Sequence, residues 1–246
     1  MTAFIEKSRG FMKEYPRSRA GARPEEAKEV MLIDMHVHTA VSSPCSRIDP
    51  RQLIYAAREM GLDAVCVTEH EEMEGARVAC ELGRELGFPV LRGVEVYTDC
   101  GDMLVFGLEV PSFPLQVPFE DLLRQVRVAG GLVIPAHPCR SDRGFHDKLG
   151  RERAEFLLAH VDALEVKNGG NAEEANLRAE AVAREYGIPG VGGSDAHFLM
   201  QLGRCLTVFE RDIESEEDLV REVKAGRCRA AYAHEVEGIE LSRLWR

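Results

Sequence analysis

The stretch MLIDMHVH, residues 31–38, runs from three apolar residues through Asp34 into His36 and His38. An apolar run this short, without helical spacing, reads as a buried strand. Side chains alternate along a strand, so His36 and His38, two apart, share one face. Two imidazoles aimed at one point make a chelate for a borderline divalent cation. A lone histidine at a strand end is more often a satisfied polar residue, and an HxH pair by itself leaves the two readings open.

Working outward, apolar runs alternate with amphipathic segments. Strands are expected at 31–36, 64–68, 89–96, 103–108, 132–136, 163–166, 189–192 and 205–209. Helices are expected near 50–60, 74–87, 119–129, 152–159, 172–186 and 215–225. Asp49-Pro50 opens the first helix, and Gly61, Gly87 and Gly187 follow helix ends. Strands alternating with helices of this length imply parallel βαβ units. The fold class is therefore α/β, and so many units in about 205 residues fit a closed or distorted barrel better than an open sheet. Residues 1–29 read as an N-terminal arm, 30–235 as the main domain and 236–246 as a tail, with Trp245 packing across the barrel's end.

At a net charge of −11 the chain lacks the basic surface that general nucleic-acid binding uses. The expectation is a small phosphorylated substrate and no nucleic-acid polymer. No apolar run is long enough to span a bilayer, and the N-terminus carries charges throughout. Seven cysteines without a CxxC pair suit a reduced, cytoplasmic protein. Oligomeric state is not encoded in any motif.

In a parallel barrel, functional groups gather where strands end. The acids and imidazoles at the expected strand ends are His36, His38, Glu69, His70, Glu95, His137, Asp195 and His197. They include five of the eight histidines. Glu95 in LRGVEVY and Asp195 after Gly192-Gly193-Ser194 should be buried, and an unpaired buried carboxylate is costly. A metal ion compensates most simply; a salt bridge to Arg92 or Lys167 is the alternative. Asp34 is a candidate carboxylate for orienting an imidazole.

These motifs resemble the PHP superfamily, the polymerase-and-histidinol-phosphatase domain. They read Asp34-Met35-His36-Val37-His38-Thr39, Thr68-Glu69-His70, Ala136-His137-Pro138 and Ser194-Asp195-Ala196-His197, with Glu95 in Gly93-Val94-Glu95-Val96. The resemblance spans residues 31–235 and implies a distorted (β/α)7 barrel and a metal-dependent phosphoesterase. It implies one metal held by His36, His38, Glu95 and Asp195, a second sharing Glu95 and taking His137, and a third on His70 and His197. Two departures stand out. Where relatives carry a histidine after the glutamate this chain offers Asp102, the nearest substitute, and after the first motif it has Cys45, a ligand or a plain loop cysteine. The second motif has Glu69 where aspartate is usual.

Two to three divalent ions, Zn²⁺, Mn²⁺ or Fe²⁺, suit this ligand set. Such ions make a nucleophile from water and clamp the oxygens of an in-line displacement. The expected reaction is hydrolysis of a small phosphomonoester. A C–N hydrolase of amidohydrolase type and a non-catalytic metal-binding regulatory module are the alternatives. In the loop after His137, Arg140 and Arg143 are candidate phosphate ligands, with Lys148 nearby, and His146 is a candidate leaving-group acid. Asn168 is a candidate for orienting ligands or for a turn. No phosphate-cradling GxxxxGK[ST] and no GxSxG nucleophile elbow is present.

Overall fold

Strand β1, Met31–Val37, is the hub of a curled sheet. A computed structural model of the chain describes residues 30–238 apart from 142, 143 and 147. The expected arm, Arg143 and Trp245 lie outside the described residues. Beyond β1 come β2 Ala64–His70, β3 Val90–Thr98, β4 Gly101–Phe106, β5 Leu132–Pro135, β6 Leu164–Asn168, β7 Gly190–Gly193, β8 Cys205–Phe209 and β9 Cys228–Tyr232. Among the described residues the helices are α1 Pro50–Met60, α2 Glu74–Leu86, α3 Phe119–Ala129, α4 Arg151–Leu158, α5 Glu173–Tyr186 and α6 Glu216–Lys224.

Seven strands form one sheet in the order β5-β4-β3-β2-β1-β8-β9, and β6 pairs with β7 separately. This ribbon packs against β5 through β6, against β1 through β7, and against β8 and β9 through both of its strands. The result is the distorted α/β barrel expected from the motifs. Among the strands of the described residues, β1-β2-β3 and β6-β7 pair in parallel; β3-β4, β4-β5, β1-β8 and β8-β9 are antiparallel. The uniform βαβ expectation fails at β3–β4 for a geometric reason. Asp99 and Cys100 alone separate these strands, too few residues for the crossover a parallel pair requires. β9 has no counterpart among the expected strands, since CRAAY is mostly part-exposed and lacks an apolar run.

The antiparallel turns leave the functional ends together. Because β4 reverses β3, its first residues lie at the mouth where β3 ends, and β5, reversing again, ends there too. Alternation then decides which side chains enter the barrel. On β4, Leu104 and Phe106 belong to the inner core and Met103 and Val105 to the layer under α3, so Asp102 faces inward. On β2, Cys66 faces inward and Val65 and Val67 pack toward α1 and α2, so His70 enters the barrel while Glu69 turns away. On β1 the register against β2 slips between Asp34 and Val37. That one extra residue, a β-bulge, lets Met35 and His36 both face the interior while Val37 packs outward.

Helix α1 shows how local sequence sets these elements. The Asp49 carboxylate accepts from the N–H groups of Arg51 at 3.0 Å and Gln52 at 3.1 Å, Pro50 starts the first turn, and Gly61 ends the helix at φ 87°. Leu53, Ile54, Ala57 and Met60 are fully buried against β1 and β2.

Candidate metal centre

The loop after β7 brings the distant motif to the first one. Asp195 N–H donates to His36 O at 2.8 Å and His38 N–H to Ala196 O at 3.0 Å, so residues 195–197 run beside the end of β1. His137 and Asp195 both take positive φ, 32° and 53°. Non-glycine residues hold that conformation only when their surroundings impose it, and such strain gathers at functional sites.

Nε2 of His36 and Nε2 of His38 face each other at 3.0 Å. Glu95 Oε2 lies 3.5 Å from the former and 3.4 Å from the latter, and Asp195 Oδ1 keeps the same two distances. Glu95 also reaches His70 Nδ1 at 2.9 Å through Oε2 and His137 Nε2 at 3.0 Å through Oε1. Asp102 Oδ2 stands 3.8 Å from His137 Nε2. Asp195 divides its oxygens, Oδ1 toward the imidazoles and Oδ2 accepting from Arg140 Nη2 at 2.7 Å.

Among the described residues three groups have potential ligand atoms within 4.8 Å of one another: His36, His38 and Asp195; Glu95, Asp102 and His137; and His38, His70 and His197. All eight residues expected to bind metal meet at one mouth. The structure joins His38 to the His70–His197 group, a membership the motifs do not specify. Rings of His38 and His70 stack at 4.2 Å, and those of His38 and His197 at 4.4 Å.

The electrostatics ask for positive charge. Burial opposes a proton on His36, yet Glu165, Asp195 and Glu95 hold its pKa well above the imidazole norm. Burial pulls His38 down to about 4. For Glu95 and Asp195, burial is outweighed by the nearby imidazoles, His36 foremost, which hold both carboxyls well below their usual range. Ring nitrogens and carboxylate oxygens pointing at common centres in a buried mouth fit divalent cations, which this donor set binds readily.

Glu165, absent from the sequence expectations, is fully buried and accepts from His36 Nδ1 at 3.0 Å, from the His137 N–H at 2.7 Å and from Asn168 Nδ2 at 2.9 Å. Its signal was a glutamate inside an apolar strand, LEVK, the same pattern that singles out Glu95. The role anticipated for Asp34 therefore belongs to Glu165. Asp34 instead accepts from the N–H groups of Ser194, His36 and Gly203 at 2.8, 3.3 and 2.9 Å, and burial raises its pKa to about 6. The salt-bridge alternative fails as well: Arg92 pairs with Glu216 and Glu109, and Lys167 with Glu180 and Glu235. Arg140 is the cation that meets Asp195.

Arg140 is fixed from three sides. Its Nε donates to Asn171 Oδ1 at 2.8 Å, and its Nη2 to Asn168 Oδ1 at 2.8 Å in addition to Asp195. Asn168 thus connects Arg140 to Glu165 and shapes the 168–171 turn, the second of the two roles expected for it. His146 sits exposed on the loop after β5, its N–H donating to Pro138 O at 3.0 Å, and belongs to none of the three groups. Cys45 is exposed and likewise outside them. None of the seven cysteines forms a disulfide.

Comparison with known proteins agrees with the family resemblance of the motifs. The PHP domain family matches residues 34–187 and the PHP-associated family residues 173–228. The chain belongs to the PHP family. MJ0417 of Methanocaldococcus jannaschii is 29% identical over 197 residues, covering 77% of this chain and 75% of that protein. A two-domain protein from Bacteroides vulgatus containing a predicted PHP-like metal-dependent phosphoesterase superposes with a TM-score of 0.68 at 20% identity, covering 82% of this chain and 65% of the other. Endonuclease Q, solved with a 27-mer duplex substrate whose abasic lesion lies at the active site, superposes with a TM-score of 0.62 at 16% identity over 81% of this chain and 58% of the other.

The last comparison corrects an expectation. The exclusion of nucleic-acid polymers rested on the net charge of −11, but a protein of the same fold binds duplex DNA at its active site. Net charge describes the whole surface, whereas bound cations make such a site locally positive. No helix among the described residues is long and apolar enough to cross a membrane.

Proposed function

We propose that this chain hydrolyses phosphate esters with two to three divalent ions bound at the barrel mouth, a small phosphomonoester being the preferred substrate. The observation that carries the reading is Glu95, whose two oxygens face different imidazole groups, Oε1 toward His137 and Oε2 toward His36, His38 and His70. A carboxylate so placed would serve as a ligand to two cations, if both were bound. His36, His38 and Asp195 complete one ligand set, Asp102 and His137 the second, and His38, His70 and His197 the third.

Zn²⁺, Mn²⁺ or Fe²⁺ bound there supplies Lewis acidity and lowers the pKa of water. The chain's own groups bind and orient the ester. Arg140, held by Asn168 and Asn171, presents a guanidinium beside the centre for non-bridging phosphate oxygens. His146, on the same loop, is the proposed proton donor to the leaving oxygen. Arg140 favours phosphorus over an amide carbonyl, since a fixed guanidinium matches a phosphoryl group.

The test is phosphate release from an aryl phosphate by protein loaded in turn with Zn²⁺, Mn²⁺ and Fe²⁺. A panel of phosphorylated metabolites, a bis-aryl diester and an abasic DNA duplex runs in parallel. Fastest turnover of a phosphomonoester, abolished by EDTA, supports the proposal. Cleavage of the duplex alone would replace the small substrate with DNA, and metal binding without any ester hydrolysis would reject catalysis.

A further inference from the structure

Glu69 is fully buried at the rim of the centre and belongs to none of the three groups of candidate ligands. Alternation along β2 sends it away from the barrel, toward the loop after β1. There its oxygens each accept the Thr39 N–H at 3.1 Å, Oε1 accepts the Thr39 hydroxyl, and Oε2 accepts the Ser43 hydroxyl. Helix α2 is cleared for this longer acid: a Cβ on Gly75 would fall inside contact distance of Glu69 Oε1, Cδ and Cγ.

The Ser43 hydroxyl has one proton, which it donates in its hydrogen bond to Glu69. Its oxygen also faces two nitrogens at 3.3 Å, the backbone N–H of His70 and Nδ1 of His38. With the hydroxyl proton committed, Oγ can only accept from both. His38 must then carry its proton on Nδ1 and present a bare Nε2, the atom facing His36 at 3.0 Å. Glu165 likewise holds a proton on Nδ1 of His36 from the other side. His38 belongs to two of the three groups of candidate ligands, so its tautomer matters more than any other.

We propose that Glu69 is a positioning residue that sets the tautomer of His38 through the hydroxyl of Ser43, and so tunes the affinity of the centre for divalent cations. The inference rests on the metal-dependent reading for its consequence, but not for its hydrogen-bond logic. In Glu69→Gln one carboxylate oxygen becomes NH₂. Facing Ser43, that group donates to Oγ and turns the hydroxyl proton toward His38 Nδ1, reversing the tautomer. Ser43→Ala removes the acceptor altogether.

The experiment has two readouts on full-length protein: long-range ¹⁵N–¹H spectra of His38 in metal-free protein, and Zn²⁺ affinity by chelator competition. In wild type, His38 carries the proton on Nδ1. Ser43→Ala and Glu69→Gln should move it toward Nε2 and weaken Zn²⁺ binding by about 10–100-fold, the usual effect of losing an outer-shell partner. Ser43→Thr, which keeps a hydroxyl, should restore both. Wild-type tautomer and affinity in Ser43→Ala would overturn the proposal, as would a loss of affinity that only follows a loss of folding while the tautomer stays. If Glu69→Gln does not fold, Ser43→Ala and Ser43→Thr decide alone. Wild-type protein that binds no Zn²⁺ overturns the metal-dependent reading instead, and the metal-free spectra still judge this one.

Discussion

Glu165 Oε1 lies 3.0 Å from Nδ1 of His36, the two residues buried and 129 positions apart in sequence. A carboxylate accepts only, so this contact keeps a proton on Nδ1 and makes Nε2 the ring's ligating atom. Glu165→Gln should keep the fold yet weaken divalent-ion binding by about 10–100-fold, as losing such a partner generally does. Chelator competition measures it, and an unchanged affinity would deny Glu165 that role.

Glu95 and Asp102 should separate by stoichiometry. Glu95→Ala removes a ligand facing two groups and should cost the protein about two bound ions, whereas Asp102→Ala should cost one at most. Elemental analysis after dialysis reads the difference directly. Equal losses would contradict the bridging arrangement.

Arg140 is expected to act on the ester rather than on the ions. Charge-assisted hydrogen bonds contribute roughly 1.5–3 kcal/mol, so Arg140→Ala should lower kcat/KM for a phosphomonoester by about 10–100-fold. Arg140→Lys should recover little, because an ammonium cannot reach Asn168, Asn171 and Asp195 with a planar fork. His146→Gln tests the proton donor separately: its effect should grow as the leaving group becomes more basic.

Away from the centre, Glu222 is buried between Arg227, at 2.6 and 2.8 Å, and Arg221 at 3.0 Å. Its hydrogen bond to Arg227 above all holds its pKa at about 2. A depressed carboxyl contributes stability that is present above the unfolded glutamate value and fades as pH falls toward 2. Glu222→Gln should therefore lower Tm at pH 7 and flatten the fall in Tm between about pH 4.5 and 2. Parallel acid titrations of the two proteins would expose any failure of this account.

The sequence was most legible where one side chain carries its own chemistry at a strand end. His36, His38, Glu95, His137, Asp195 and His197 announce themselves by residue type and spacing. What stayed hidden depends on relations between distant segments. The antiparallel β3–β4 turn was encoded in the brevity of the 97–102 connection, yet it yields only when strand direction is asked for. The β1 bulge is a register property of two strands and has no sequence mark. Glu69 looked like a residue of the site because it adjoins His70, but a period of two puts adjacent residues on opposite faces. The net charge could not exclude nucleic acid, because it averages a whole surface and says nothing of one mouth.

The central claim is that side chains from His36 to His197 share bound cations. The most direct measurement is elemental analysis of freshly purified wild-type protein beside Asp195→Ala, which lacks an oxygen facing both His36 and His38. The account predicts about two or more equivalents of transition metal in the wild type and the loss of at least one in the variant. A wild-type protein free of transition metal, or a variant with undiminished content, would contradict it.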